Sequence, residues 1–350
     1  AKAFTVYNHM YLPVSFENTI TDYNNLLQGV QLWDVGVERQ VQIKGPDAAS
    51  LIQFLTPRNI KKCSVGQAMY APLLDFQGGF LNDPVMLKLA EDFYWLSIAD
   101  GDSLLWVEAI AKGYNFNVEV EEPDVSPLQV QGPNSAKLMT KVFGEWVDDL
   151  GFYRFKEFTH NGISMVIARM GYSRELCYEI FLLDYSKGNE LWEMLWQAGQ
   201  EFNISPGGPN IIFRLEGGIL SYLADFDRTN NPYEVGLDWM IDFDQEDDFI
   251  GKEALRAINL QGPTKKLMGA EIKGDPIENS NEDYLPVLID GKRVGTMTAM
   301  VFSPRLQKNI AYVFLDIEHA KVGQEILISN SHQSLEAEVV DLPWFDRAKK

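Results

Sequence analysis

The chain has 350 residues, 46% of them hydrophobic, and 30 basic against 50 acidic side chains give a formal net charge of −20. That is enough apolar material for a large core, and at roughly 100–200 residues per domain it points to two or three domains. The acidic excess repels nucleic acid and anionic membrane over most of the surface, so neither is expected as a partner.

In chain order, residues 39–120 predict a strand (41–43), a helix (47–55), a strand (68–74), a turn at Gly78-Gly79, strands (81–89 and 94–98), a helix (101–111) and a strand (115–120). A second copy follows: strand (128–131), helix (135–143), strand (154–160), turn at Asn161-Gly162, strands (164–169 and 177–182) and helix (188–202). The two copies share a phrase. Val41 to Leu51 reads VQIKGPDAASL, and 87 residues later Leu128 to Leu138 reads LQVQGPNSAKL. Each is an alternating strand, a Gly-Pro turn and an Asp47 or Asn134 expected to cap a helix, so the chain is read as two copies of one supersecondary unit. After Pro206-Gly207-Gly208-Pro209 a helix (211–220) leads into an acidic loop through Asp225, Asp227 and Asn230. From Met268 onward, short glycine-punctuated strands predict a small barrel or jelly roll. Helices among mostly antiparallel strands make the fold class α+β.

Cys63 and Cys177 are too few for a disulfide framework and fit a reducing compartment. No basic segment followed by an apolar run opens the chain, and no stretch reaches the roughly 18–20 apolar residues of a membrane helix, so a cytoplasmic location is expected. His9, His160, His319 and His332 stand apart, without Cys or carboxylate at ligand spacing, and no metal is expected. Neither G-x-G-x-x-G after a strand, nor a phosphate-binding loop, nor H-E-x-x-H, nor G-x-S-x-G occurs. What remains is two carboxylates in apolar surroundings: Asp83 in the run from Gly78 to Pro84, and Glu179 in the run from Gly171 to Ile180. An acid in an apolar strand is costly to bury unless it is paired, which makes such positions candidates for a site.

Several phrases go further. Trp33 to Asp47, Leu55-Thr-Pro-Arg58, Gly79-Phe-Leu-Asn-Asp83, Gly171-Tyr172 with Tyr178-Glu179-Ile180, Arg214-Leu-Glu-Gly-Gly218, Val294-Gly295-Thr-Met-Thr298 and Phe302-Ser303-Pro304 resemble the tetrahydrofolate-binding aminomethyltransferase family, the glycine-cleavage T-protein and its relatives. They occur in the family's order over nearly the whole chain. Phe4 to Met10, Val37 to Gln40, Asn82-Asp83-Pro84, Tyr94 to Asp100 and Glu122 to Ser126 look most like the family's dimethylsulfoniopropionate demethylase branch.

The resemblance implies a three-domain cloverleaf with tetrahydrofolate in a central channel. Residues 1–38 with 125–250 would form the folate-binding body domain, 39–124 a second, ferredoxin-like body domain, and 265–350 a C-terminal β domain. It implies an enzyme moving a methyl group from a small methylated zwitterion, dimethylsulfoniopropionate first, to N5 of tetrahydrofolate. Two alternatives stay open: an aminomethyltransferase or methylamine demethylase giving methylene-tetrahydrofolate, and a folate-binding relative without turnover.

Carried over by position, Glu179 matches the carboxylate that recognises the pterin, and Asp83 the carboxylate near the reactive nitrogen. Asn210 stands where T-proteins have a folate-contacting Arg, and Tyr70 and Ser97 are channel residues. Tyr172, Tyr178, Phe181 and Glu38 would face the methyl donor. Arg214 is read as an ion-pair former. The chain departs from the demethylase branch at Gly171-Tyr-Ser-Arg-Glu-Leu-Cys177, at Phe181 in place of a tyrosine, and at Tyr222-Leu-Ala-Asp225. These changes lie where the donor would bind, so they leave its identity open.

Overall fold

Both copies of the repeated phrase form a strand, a turn and a helix. In the computed structural model, which describes residues 1–173, 175–329 and 334–344, the first copy gives the strand Gln40–Lys44 and the helix Ala48–Leu55. The second gives the strand Ser126–Gln131 and the helix Ser135–Phe143. Arg174 and His332, noted above, lie outside the described residues, as does part of the 265–350 segment. Both turns need glycine. Gly45 has φ +141°, and a Cβ there would lie 2.7 Å from the Asn117 carbonyl oxygen. Gly132 has φ +116°, and its Cβ would meet the Gly29 carbonyl oxygen at 2.7 Å. The expected caps differ from the reading. Asp47 and Asn134 occupy the cap positions, but neither side chain caps its helix. Asp47 instead accepts from the Asn117 N–H at 2.7 Å, and Asn134 donates to the Phe202 carbonyl at 3.2 Å, so each ties its helix start to a neighbouring segment.

The chain divides into two compact units: Ala1–Leu73 with Asn82–Asn210 and Gln245–Phe249, and Leu74–Leu81 with Ile211–Asp244 and Ile250–Lys350. The first holds two large sheets and the two-stranded hairpin of Ala3–Tyr7 with Met10–Ser15. One is antiparallel with five strands in the order Glu119–Glu121, Gln40–Lys44, Phe93–Ser97, Val85–Ala90, Gln67–Tyr70. The other has six: Phe155–His160, Ile163–Ala168, Cys177–Leu182, Ser126–Gln131, Val30–Asp34 and Ile204–Gly207, the last pair parallel. The predicted strand 68–74 is broken, with Gln67–Tyr70 and Leu73–Leu74 as separate pieces, and the predicted helix 101–111 runs Ser103–Gly113. One face of the six-stranded sheet buries Val30, Leu32, Val130, Tyr178 and Ile180 with Leu138 and Met139, and with Leu191 and Leu195 of the helix Gly188–Gly199. The opposite face presents Val166, Ala168 and Phe181 to Ala68, Leu87 and Trp95 of the five-stranded sheet. The two sheets therefore pack face to face, with each large apolar side chain so buried contributing about 1.5–3 kcal/mol.

The second unit contains a closed six-stranded barrel in the order Lys265–Ile272, Lys308–Asp316, Lys292–Ser303, Leu285–Ile289, Glu325–Ser329, Ser334–Val340. Closure decides between the two small-β alternatives left open by the sequence and leaves no sheet edge. Met268, Ala270, Val287, Met297, Val313, Ile328 and Val339 fill it. The helix expected over 211–220 is shorter, Ile211–Gly217. It carries Arg214, which is buried and ion-paired to Asp225 and Glu282, and the Tyr312 hydroxyl donates to the Arg214 carbonyl at 3.1 Å. Among the described residues, no helix is long and apolar enough to cross a membrane.

Candidate active site

Strand alternation sorts the side chains of Ser126–Gln131 and Cys177–Leu182. Val130, Tyr178 and Ile180 enter the helix-covered core, so Gln129, Gln131 and Glu179 point to the other face. Gln129 is paired across the sheet with both Glu179 and Trp33. Glu179 is 4% exposed, and its Oε1 has no hydrogen-bond partner. Its neighbours are Glu38, half-buried in the loop before Gln40–Lys44, and Gln129. Burial first, and then the charge and hydrogen bond of Glu38, push the Glu179 carboxyl well above the carboxylate range, with Gln129 opposing weakly. Burial pushes Glu38 up to about 7, against the effect of its hydrogen bond with Glu179. Two carboxyls held together in a dry place share a proton, because both cannot be charged.

A chain of amides fixes this floor. The Ser173 hydroxyl donates to Gln131 Oε1 at 2.6 Å, and Gln131 Nε2 donates to Gln129 Oε1 at 2.7 Å, which leaves the Gln129 amino group for Glu179. Gly171 makes room for it: a Cβ there would lie 2.4 Å from Gln131 Nε2. Trp33 Nε1 donates to Gln31 Oε1 at 2.9 Å, and Gln31 Nε2 to the Asp22 carbonyl at 2.8 Å.

The five-stranded sheet contributes a second row. Tyr70, Val85, Ser97 and Gln40 are successive cross-strand neighbours. The Tyr70 hydroxyl donates to Asp83 Oδ2 at 2.7 Å. Gln40 Nε2 donates to the Ser97 hydroxyl at 3.1 Å and to the Glu38 carbonyl at 2.7 Å, so Ser97 helps hold the backbone that carries Glu38. Above these sits Tyr7, at the end of the strand Ala3–Tyr7. Its hydroxyl is pushed well above the ordinary range by burial and then by the charges of Glu38 and Asp83, with Tyr172 and Asp100 adding. Tyr7, Glu38, Tyr70, Asp83, Ser97, Asp100 and Tyr172 are all half-buried, whereas Glu179 is buried.

Of the residues chosen from the sequence, the structure brings Glu38 to Glu179, Tyr70 to Asp83, and Tyr172 to the surroundings of Tyr7 and Tyr70. Tyr178 lies on the opposite face of its strand, inside the helix-covered core. Phe181 is on the Glu179 face but fully buried between the sheets, its ring 6.1 Å from that of Trp95. Asn210 is buried, its amide donating to the Thr19 carbonyl at 3.0 Å. Tyr7, Asp100, Gln129, Gln131 and Ser173 were missed. The alternation in Leu-Gln-Val-Gln reads as glutamines facing water, and only the second sheet converts that face to an interior. No group of three or more His, Cys, Asp or Glu among the described residues could hold a metal ion.

The GCVT N-terminal domain model matches residues 1–245, and the glycine cleavage T-protein C-terminal barrel domain matches residues 265–346. The chain belongs to the glycine-cleavage T-protein family. It is 43% identical over 324 residues, 92% of this chain and 87% of the relative, to dimethylsulfoniopropionate demethylase DmdA of Ruegeria pomeroyi. It is 30% identical over 337 residues, 95% of this chain and 93% of the relative, to an aminomethyltransferase of Halothermothrix orenii. The glycine cleavage system aminomethyltransferase T of Bartonella henselae superposes with a TM-score of 0.88 at 20% identity, covering 98% of this chain and 94% of that one, which establishes the shared fold.

Proposed function

We propose that this T-protein family member is a tetrahydrofolate-dependent methyltransferase that demethylates a small onium zwitterion, with dimethylsulfoniopropionate as the donor. The observation carrying the reading is Glu179, a buried carboxylate with an unsatisfied oxygen. Such an atom is costly to leave unpaired and is readily satisfied by a ligand with two adjacent donors. A pterin offers an amino group beside a ring N–H, and one carboxylate can accept both in parallel. The name of the Ruegeria relative supports the donor, and the aminomethyltransferase names support the wider folate chemistry. The way Val30–Asp34 joins the sheet of Ser126–Gln131 supports reading residues 1–38 with 125–250 as the folate-binding half, with 39–124 as the second body domain and 265–350 as the barrel domain.

Tetrahydrofolate, when bound, supplies N5 as the nucleophile. Glu179, its proton displaced by the pterin donors, orients the ring, with Asn210, Ser97 and Tyr70 as further contacts. Asp83, oriented by the Tyr70 hydroxyl, takes the proton that the nitrogen loses. Tyr7 and Tyr172 offer aromatic faces to the onium, worth about 0.5–2 kcal/mol each, and Glu38 offers charge. Phe181 backs the pocket through its packing against Trp95. The donor's carbon–sulfur bond breaks with its electron pair going to sulfur and a carbon–nitrogen bond forms. The products are 5-methyltetrahydrofolate and a thioether that keeps the donor's carboxylate. A cation gives up its charge to a diffuse transition state, so a partly dry, preorganised site favours the step.

Glu179→Gln tests the assignment. Replacing a charged acceptor costs about 1.5–3 kcal/mol, so tetrahydrofolate affinity, measured by fluorescence titration, should fall about 10- to 100-fold. Unchanged affinity would remove Glu179 from the binding site.

A further inference from the structure

Two buried asparagines bracket one short loop. Asn82, fully buried beside Asp83, donates to the carbonyls of Ala99 and Asp100 at 3.1 and 3.2 Å and accepts from the Ala99 N–H at 2.9 Å. Asn8, 2% exposed, takes the other side of the same loop: its N–H donates to Asp100 Oδ1 and its Oδ1 accepts from the Gly101 N–H, both at 2.8 Å. The Asn8 amide then donates to the Val37 carbonyl at 3.0 Å. Val37 precedes Glu38, and Asn8 follows Tyr7. One side chain thus ties the hairpin that carries Tyr7, the loop that carries Asp100 and the loop that carries Glu38.

Asn8 is the first turn residue of the hairpin between Ala3–Tyr7 and Met10–Ser15 and has φ +47°, followed by His9 at φ +65°. Asparagine is among the few residues that adopt this conformation readily, and among them it alone also offers a carboxamide with both a donor and an acceptor. Around it, Val6, Phe4 and Tyr11 are exposed, so the hairpin has little apolar packing of its own to fix its tip. Three hydrogen bonds from one buried residue do that work instead.

We infer that Asn8 is a positioning residue for the methyl donor, holding Tyr7 and Glu38 at a set separation from Asp83 through the Asn82-braced loop. The inference rests on the proposed methyltransferase reading. It assigns to a turn residue the spacing between the group that cradles the onium and the group that receives the proton. Because Asn8 adjoins Tyr7 directly and reaches the pterin floor of Glu179, Gln129 and Gln131 only at second hand, through Glu38, its loss should weaken the donor far more than the folate.

Asn8→Gly keeps the left-handed backbone and the N–H to Asp100 while removing both side-chain bonds. With tetrahydrofolate and dimethylsulfoniopropionate, the KM for the donor should rise about 10-fold or more, the loss expected when a substrate-orienting group is misplaced. Tetrahydrofolate affinity should stay within about twofold, while the thermal midpoint falls by a few degrees because the Val37 carbonyl and the Gly101 N–H lose their partner. Asn8→Asp, which keeps acceptance from Gly101 but cannot donate to Val37, should also raise the donor KM, which covers a glycine variant that folds poorly. An unchanged donor KM in a folded variant, or equal losses for donor and folate, overturns the inference. Absence of product from the wild-type protein instead overturns the methyltransferase reading on which it rests.

Discussion

The Tyr70 hydroxyl donates to the Asp83 carboxylate at 2.7 Å, reaching from an edge strand to the residue that follows Phe80–Asn82. The bond fixes one carboxylate oxygen of a half-buried acid without neutralising it. Asp83→Asn should therefore lower kcat by about 10²–10⁴-fold, the range for losing a positioned proton acceptor. Tyr70→Phe, which removes one hydrogen bond worth about 1 kcal/mol, should cost only about 3- to 10-fold. Steady-state kinetics with saturating folate separates the two, and a Tyr70→Phe defect larger than that of Asp83→Asn would reverse the roles assigned here.

The Glu38–Glu179 pair predicts how stability and binding respond to pH. Glu38 titrates at about 7 in the folded chain against an ordinary 4.5, and Glu179 is displaced in the same direction. Between those values the folded protein holds more protons than the unfolded chain, so stability falls as pH rises through that window. The urea midpoint should drop from about pH 5 to about pH 7.5, and the slope should flatten in Glu38→Gln. Folate needs Glu179 ionised, so its binding should release a proton and weaken as pH falls. Calorimetry in buffers of different ionisation enthalpy reads that proton directly. No proton released, with a flat stability profile, would contradict the shared-proton arrangement.

Tyr172 and Tyr178 were both expected to face the donor, yet Tyr172 lies in the bend before the strand Cys177–Leu182 and Tyr178 in that strand, on the helix-covered face. Tyr172 adds to the electrostatic surroundings of Tyr7, and Tyr178 packs with Val130, Leu138 and Ile180. Tyr172→Leu should raise the donor KM about 2- to 30-fold, the worth of one aromatic face at about 0.5–2 kcal/mol. Tyr178→Leu should lower the thermal midpoint and leave the donor KM within about twofold, since its loss is one of core packing. Donor kinetics and melting curves on the two variants check this, and the opposite pattern would mean the faces are misassigned.

The repeat was legible because it is local: a strand, a Gly-Pro turn and a helix follow from alternation, positive-φ glycine and apolar periodicity, and both copies fold that way. The barrel was legible in kind, because short glycine-punctuated strands have few other outcomes. Burial of Gln129 and Gln131 was not, since a polar residue at every second position normally marks a wet face, and here a second sheet covers it. Asp47 and Asn134 looked like caps, but a partner distant in sequence competes for each side chain. Tyr7 and Asn8 were invisible because their role depends on loops at Val37 and Asp100, joined only by the tertiary fold. Phe181, expected to face the donor, shares the Glu179 face but is buried between the sheets: strand period fixes direction, while depth depends on Trp95 across the gap.

The most direct measurement is mass spectrometry of the folate product after incubating the purified protein with tetrahydrofolate and dimethylsulfoniopropionate, beside other onium and methylamine donors. The account predicts 5-methyltetrahydrofolate, formed in step with the thioether, and lost in Asp83→Asn. Methylene-tetrahydrofolate from a methylamine, or tight folate binding with no product from any donor, would contradict it.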